Sequence, residues 1–165
     1  MSGLFFGEVF RALNKARVKY VIAGGYAVNL HGYIRFTGDL DLIVDLEEKN
    51  LGKLFDALNG VGYVPKVPVR KEQFVDARQR RKWQKQKNMI VFSFVELKPP
   101  LKLVDMFIDP PISFKEVFAQ SKIGNLEGVR VRFLGIDHLI HLKVLASRFK
   151  DLQDIAQLRA IKAGL

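Results

Sequence analysis

Two aspartates and a pair of glycines are the residues of this sequence whose types and spacing best suit chemistry. Gly24-Gly25 closes an apolar run, and after thirteen intervening residues Asp39-Leu40-Asp41 opens another. Side chains alternate along a strand, so both carboxylates of an Asp-x-Asp pair share one face, where a cation or water between them relieves their repulsion. Glycine backbone lets phosphate oxygens approach the N–H groups closely. The pattern therefore predicts a metal and phosphate site, and with it nucleotide chemistry.

A third aspartate, Asp105, lies in the otherwise apolar run 101–108. Because an unpaired buried carboxylate is costly, we expect Asp105 to lie at a strand end beside a lysine such as Lys102, or to join Asp39 and Asp41 at a metal. Three converging carboxylates suit two-metal nucleotidyl transfer, in which one cation activates the incoming hydroxyl and another holds the leaving pyrophosphate. An all-oxygen set predicts Mg²⁺, with Mn²⁺ as an alternative.

The elements that must position these residues form an α/β pattern. The hydrophobic spacing predicts strands at 20–23, 39–44, 89–97, 101–108 and 129–134, and helices at 4–18, 26–31, 46–58, 71–87 (interrupted), 136–149 and 152–161. Ser113 is expected to cap a further short helix, and Lys98-Pro99-Pro100 to join two strands as a hairpin. No Gly-, Ser- or Pro-rich linker divides the chain. We expect one domain over 1–165, with the catalytic sheet and helices at 1–134 and terminal helices at 135–165.

Composition excludes several function classes. The chain is 48% hydrophobic and 27% charged and has no cysteine, which excludes disulfides, thiolate catalysis and cysteine-based zinc sites. It shows neither a secretory leader nor an apolar run of the roughly 18 residues that a membrane span needs. We therefore expect a cytoplasmic protein with no membrane partner.

The positive charge is concentrated in one part of the chain. The formal net charge is +10, and residues 66–87, the basic segment, hold nine basic and two acidic residues. Such a segment attracts polyanions such as RNA, although a solvated helix face has the same composition. Trp83 could stack on a substrate base or anchor its own helix, and its neighbours Arg80 and Arg81 are candidate substrate contacts.

These motifs resemble a known superfamily. Gly24-Gly25, then Asp39-Leu40-Asp41 and a later strand aspartate, looks like the nucleotidyltransferases that include DNA polymerase beta. The fuller string, Gly-Gly-x-Ala…His-Gly…Arg-x-Thr-x-Asp-x-Asp-Leu, is similar to AbiEii-type toxins and small antibiotic nucleotidyltransferases, and the tail 142–154 resembles their terminal helices. The resemblance implies a nucleotidyltransferase fold, a mixed β-sheet flanked by helices with a C-terminal helical pair.

The resemblance also implies a role for each matching residue. Asp39 and Asp41 would hold the metal, and Asp105 would join them and act as base for the attacking hydroxyl. Amides of Gly24 and Gly25 would bind the NTP triphosphate, and Arg35 and Lys143 would contact its phosphates. Thr37 would contact the nucleotide or shape the turn. Two residues of the tail would line the nucleotide or pair with each other, namely Arg148 and Asp151. The chain departs from many relatives in having Gly25 and Tyr26 where a phosphate-binding serine follows the first glycine.

We therefore predict a magnesium-dependent enzyme that moves a nucleoside monophosphate from an NTP to a hydroxyl. The basic segment favours an RNA 3′ end, tRNA for preference, as acceptor, in an AbiEii-like toxin–antitoxin role. One alternative is a catalytically degenerate module of the same fold that binds nucleic acid or protein. Another is an antitoxin-type enzyme that modifies a protein, with a cognate toxin or antitoxin as partner.

Overall fold

A mixed sheet forms the centre of the computed structural model, which describes residues 5–126 and 128–165. Its strands are β1 (Tyr20–Ala23), β2 (Leu40–Val44), β3 (Tyr63–Pro65), β4 (Val91–Glu96), β5 (Leu103–Phe107), β6 (Lys122–Leu126) and β7 (Val129–Phe133). They are ordered β3-β4-β5-β2-β1-β7-β6 across the sheet. β2, which contains Asp41, lies in the centre of this order, with β1 antiparallel on one side and β5 parallel on the other.

Helices cover this sheet. They are α1 (Gly7–Lys15), α2 (Gly24–Leu30), α3 (Glu48–Gly60), α4 (Lys71–Val75), α5 (Ala77–Lys87), α6 (Phe114–Ala119), α7 (Ile136–Ala146) and α8 (Phe149–Lys162). In one group α1 contacts α3, α3 contacts α4, and α4 contacts α5; in another α7 packs against α2 and α8. Within the described ranges, no helix is long and apolar enough to cross a membrane.

The core lies on both faces of the central strands. Val21 and Ile22 of β1 are fully buried, as are Leu42 and Ile43 of β2. Because consecutive strand residues point to opposite faces, burial of both members of each pair requires cover on each side of the sheet. Apolar β-branched residues in these strands satisfy that requirement. A carboxylate at the second position of β2, that of Asp41, is therefore an exception that needs a reason.

Most predicted elements are found, with shifted ends. The strand predicted at 20–23 is β1, and the predicted hairpin is β4–β5, which pair as antiparallel neighbours. The helix predicted at 71–87 is interrupted at Asp76, whose carboxylate caps α5 by accepting a bond from the Arg78 amide. Ser113 caps α6 in the same manner. Leu4, the predicted first residue of the first helix, lies outside the described residues.

Several helix boundaries differ from the prediction, and two strands were not predicted. The helix predicted at 136–149 ends earlier, because Ser147 has a φ of +49° and closes α7 in the left-handed region. The second helix starts at Gly24 instead of Tyr26. The edge strands β3 and β6 were not predicted at all.

Candidate active site

The three predicted carboxylates lie at one cleft. Asp41 and Asp105 are register partners on the parallel strands β2 and β5, so they stand side by side. Asp39 comes one residue before β2 and points to the same side as Asp41. All three line a cleft of about 860 Å³.

Burial and mutual repulsion act on these carboxylates. The pKa of Asp41 is raised to about 6, first by burial and then by the charges of Asp105 and Asp39, while Lys143 opposes the rise. Burial also raises the pKa of Asp105, although the Ser93 hydroxyl lowers it by donating a hydrogen bond of 2.6 Å to Oδ1. The fold thus holds negative charges close together, which a bound cation would stabilise.

The lysine partner considered for Asp105 is paired elsewhere. Lys102 Nζ lies 3.0 Å from Glu96 Oε2. Lys66, just after β3, instead lowers the pKa of Asp105 by its charge, and its amide donates to the Ser93 carbonyl at 2.9 Å. Sequence reasoning missed Ser93, because a serine in an apolar strand carries no signal until the strand register is known.

The glycine pair makes room for the site. A Cβ at Gly24 would lie 2.0 Å from Asp41 Oδ2, and one at Gly25 would lie 2.4 Å from Thr37 Oγ1. Gly24 also has a φ of +60°, a conformation that residues with a Cβ adopt at a cost. Both glycines line the cleft and form the first turn of α2. Close packing against Asp41 and Thr37 therefore requires residues without side chains here.

A largely buried ion network, exposed at Arg148, ties the loop before β2 to the two terminal helices. It consists of Arg35, Lys143, Arg148, Asp151 and Asp154. Asp154 accepts two bonds from the Arg35 guanidinium, of 2.7 and 2.6 Å, and its carboxylate lies 2.8 Å from Lys143 Nζ. Asp151 lies 3.3 Å from Lys143 Nζ and 2.8 Å from Arg148 Nε. The network carries three positive and two negative charges, so it leaves one positive charge at the cleft.

The ion network holds four residues that were predicted to contact the nucleotide or each other. Arg148 pairs with Asp151, one of the two arrangements expected, and both line the cleft together with Arg35 and Lys143. Although burial alone would raise the pKa of Asp154, hydrogen bonds from Arg35 and Lys143 hold it below its ordinary value. Asp154 lies in the tail 142–154 but had no predicted role, because it becomes buried only when α8 packs against Arg35 and Lys143.

Two residues of the basic segment lie in the core and not at a substrate surface. Trp83 is 6% exposed and stacks on Phe92, with ring centroids 5.5 Å apart. Arg80 is also 6% exposed and donates to two backbone carbonyls. Trp83 thus anchors its own helix, one of the two roles expected, whereas the burial of Arg80 does not fit a substrate contact. Residues three apart share a helix face, and α5 turns this face inward. Arg81, one position further along the helix, is exposed.

The carboxylates fit a metal held jointly with a substrate. Among residues 5–126 and 128–165, no group of three or more His, Asp or Glu side chains forms a ready metal-ligand cluster. Mg²⁺ commonly uses one or two carboxylates and completes its shell with water and substrate phosphates. The oxygen-only donors Asp39, Asp41 and Asp105, with the raised pKa of Asp41, suit that kind of site.

Solved structures of nucleotidyltransferases resemble this fold. The antibiotic-resistance factor ANT(2″)-Ia is 14% identical, with 94% of this chain and 80% of that chain covered and a TM-score of 0.62. Lincomycin-bound LnuA, a lincosamide antibiotic adenylyltransferase, is 13% identical, with 97% and 99% covered and a TM-score of 0.61. An antigenic nucleotidyltransferase-like protein from Paracoccidioides brasiliensis is 16% identical, with 91% and 71% covered and a TM-score of 0.60. These likenesses identify the nucleotidyltransferase fold.

Sequence comparison identifies the family. No curated protein sequence matches the chain significantly. The family model for aminoglycoside-2″-adenylyltransferase, however, matches residues 6–157, which is most of the chain and includes every carboxylate of the cleft. The chain therefore belongs to the aminoglycoside-2″-adenylyltransferase family and is a nucleotidyltransferase.

Proposed function

We propose that this enzyme transfers a nucleoside monophosphate from an NTP to a hydroxyl group in the presence of Mg²⁺. The acceptor oxygen attacks the α-phosphorus, the bond to the bridging oxygen breaks, and pyrophosphate leaves. The observation that carries this proposal is the placement of Asp39, Asp41 and Asp105 in one cleft with the glycine pair. Placement and charge are the main protein contributions to such a reaction.

The cleft residues would have two kinds of role: some would bind the triphosphate, and the others would bind the metal or accept a proton. Gly24 and Gly25 amides would hold triphosphate oxygens, and Arg148, whose side chain is 60% exposed at the cleft, would add positive charge. Asp105, with its raised pKa, would accept the proton of the attacking hydroxyl. Asp39 and Asp41 would hold Mg²⁺ together with Asp105. When bound, the ion neutralises phosphate charge and orients the reacting oxygens.

The test compares Asp41→Asn with an exposed control, Asp56→Asn. Calorimetry would measure binding of a non-hydrolysable ATP analogue with Mg²⁺, and a second titration would omit the metal. We expect wild type and Asp56→Asn to bind only with Mg²⁺, and Asp41→Asn to lose binding. Because Asn removes a charge that the fold disfavours, thermal stability of Asp41→Asn should equal or exceed that of wild type. Metal-independent binding, or binding retained by Asp41→Asn, would refute the proposal.

For the acceptor we propose an RNA 3′ end. Seven basic side chains of the basic segment are exposed: Lys66, Arg70, Arg78, Arg81, Lys82, Lys85 and Lys87. The segment ends three residues before Ile90, which lines the cleft together with Phe107 near Asp105. A chain of net charge +10 attracts a polyanion and repels a polycation such as an aminoglycoside.

A labelling experiment distinguishes the acceptor classes. Wild type would be incubated with α-labelled NTPs and either total tRNA or an aminoglycoside such as tobramycin, the compound found adenylylated in a structure of ANT(2″)-Ia. We expect label on tRNA, weakening with salt, and little label in an Arg81→Glu/Lys82→Glu variant. Label on the aminoglycoside, unaffected by charge reversal, would overturn the RNA proposal and leave nucleotidyl transfer intact.

An AbiEii-like toxin–antitoxin role is a finer proposal that depends on the same acceptor. It predicts that expression arrests growth in wild type and not in Asp41→Asn. The alternative of a degenerate binding module predicts the opposite pattern, with RNA bound equally by wild type and by Asp41→Asn and no label transferred.

A further inference from the structure

We propose that Phe36 is the surface on which the nucleobase of the NTP stacks, with Leu145 providing a second apolar contact. This inference rests on the proposed function, since it assigns a subsite to the nucleotide of that reaction. It concerns the nucleoside half of the cleft, for which neither the carboxylates nor the glycine pair supplies a contact.

The exposure of Phe36 is the first observation. Its side chain is 90% exposed although it lines the cleft. Water contact over a whole phenyl ring is unfavourable, and a base with a π-face removes that contact by stacking. A ring that only filled the core would be buried, as Phe92 is at 1% exposure.

The residues on each side of Phe36 are fixed. Arg35 is held by two hydrogen bonds to Asp154, and its Nη1 donates to the Phe36 carbonyl at 2.9 Å. Thr37 packs directly against Gly25. The backbone is therefore anchored at both neighbours while the ring between them stays open, which lowers the entropy lost when a base stacks.

The position of Phe36 in the cleft assigns it to the nucleotide and not to the acceptor. Through Thr37 it adjoins Gly25, the proposed phosphate contact, whereas Ile90 and Phe107 line the part of the cleft that adjoins Asp105, the proposed base. Leu145, near the end of α7, is 57% exposed and lines the same cleft. A base extending from phosphates at Gly25 has these two apolar side chains available.

The experiment separates the base from the phosphates. Two probes would be titrated by calorimetry in the presence of Mg²⁺: a non-hydrolysable ATP analogue and inorganic tripolyphosphate, which has no base. The variants are Phe36→Ala, Phe36→Trp and the matched control Phe149→Ala, because Phe149 is 91% exposed on α8 and is not among the residues that line the cleft. Thermal denaturation of each variant checks that it is folded.

Base stacking on an aromatic side chain predicts a roughly 5- to 100-fold loss of affinity for the ATP analogue in Phe36→Ala. Phe36→Trp should retain or improve that affinity, tripolyphosphate should bind all variants equally, and Phe149→Ala should behave as wild type. Unchanged ATP-analogue affinity in Phe36→Ala, or an equal loss for both probes, would overturn the inference while nucleotide binding itself stands. A wild type that binds neither probe would overturn the proposed function as well.

Discussion

Replacing Gly24 by alanine should destabilise the protein by more than the backbone conformation of this residue explains. A left-handed residue with a Cβ costs roughly 1–2 kcal/mol, and Gly24 has a φ of +60°. The new Cβ would also lie 2.0 Å from Asp41 Oδ2, so the carboxylate must turn away. Moving a side chain off its rotamer costs about 0.5–1.5 kcal/mol. The free energy of unfolding should fall by about 2–3 kcal/mol, and metal-dependent nucleotide binding should be lost because Asp41 is displaced.

Gly62 provides the matched control for this experiment. Its φ is +91°, and a Cβ there meets nothing within 4 Å, so Gly62→Ala should cost only the backbone part, about 1–2 kcal/mol, and keep nucleotide binding. Urea denaturation would measure both losses. Repeating Gly24→Ala in an Asp41→Ala background removes the carboxylate, and the extra loss should then shrink. Equal losses for Gly24→Ala and Gly62→Ala, with nucleotide binding kept in both, would refute the reasoning.

Three further predictions concern the buried charges and the single tryptophan. Asp154→Asn should lower the free energy of unfolding by about 3–5 kcal/mol, because Arg35 loses its charged partner and Lys143 keeps only Asp151, at 3.3 Å. Asp56→Asn, at an exposed pair, should cost at most about 1 kcal/mol. Urea denaturation of the two variants tests this difference. Ion pairs lower the folded pKa of Asp151 and Asp154. The stability that these two carboxylates contribute should therefore be complete above about pH 4 and be lost as pH falls through the lowered pKa. A melting temperature that falls as steeply with acid in Asp154→Asn as in wild type would contradict this. Fluorescence of Trp83, which is buried against Phe92, should not change when RNA is added, and strong quenching would restore the base-stacking hypothesis.

The central strands and the meeting of the candidate-site carboxylates could be predicted from the sequence, because local pattern and tertiary environment agree there. β1 is an apolar run that ends at a glycine pair, and the structure ends the strand at the same residue. Asp105 stood out because a carboxylate in an apolar strand needs a partner, and the register places it beside Asp41. A charged residue in an apolar strand can be recognised from a single sequence, because burial of a charge is costly in any fold.

The features that the sequence did not predict depend on contacts between residues far apart in the chain. β3 has only three residues and contains Pro65, and β6 mixes polar and apolar residues that are all exposed or half-buried, so neither edge strand shows an extended hydrophobic pattern. Arg80 belongs by composition to an exposed basic segment, yet its position on α5 turns it inward. Asp154 shows the reverse case, a helix residue of ordinary appearance that becomes buried once α8 reaches Arg35.

The buried ion network also has a consequence for the order in which the enzyme becomes competent during synthesis. A ribosome releases Asp39, Asp41 and Asp105 well before α8, which carries Asp151 and Asp154. Until that helix docks, Arg35 and Lys143 lack the carboxylates that hold them. A nascent chain therefore carries all three proposed catalytic aspartates in an incomplete cleft, and nucleotide turnover should begin only when α8, which contains no proposed metal ligand, has folded into place.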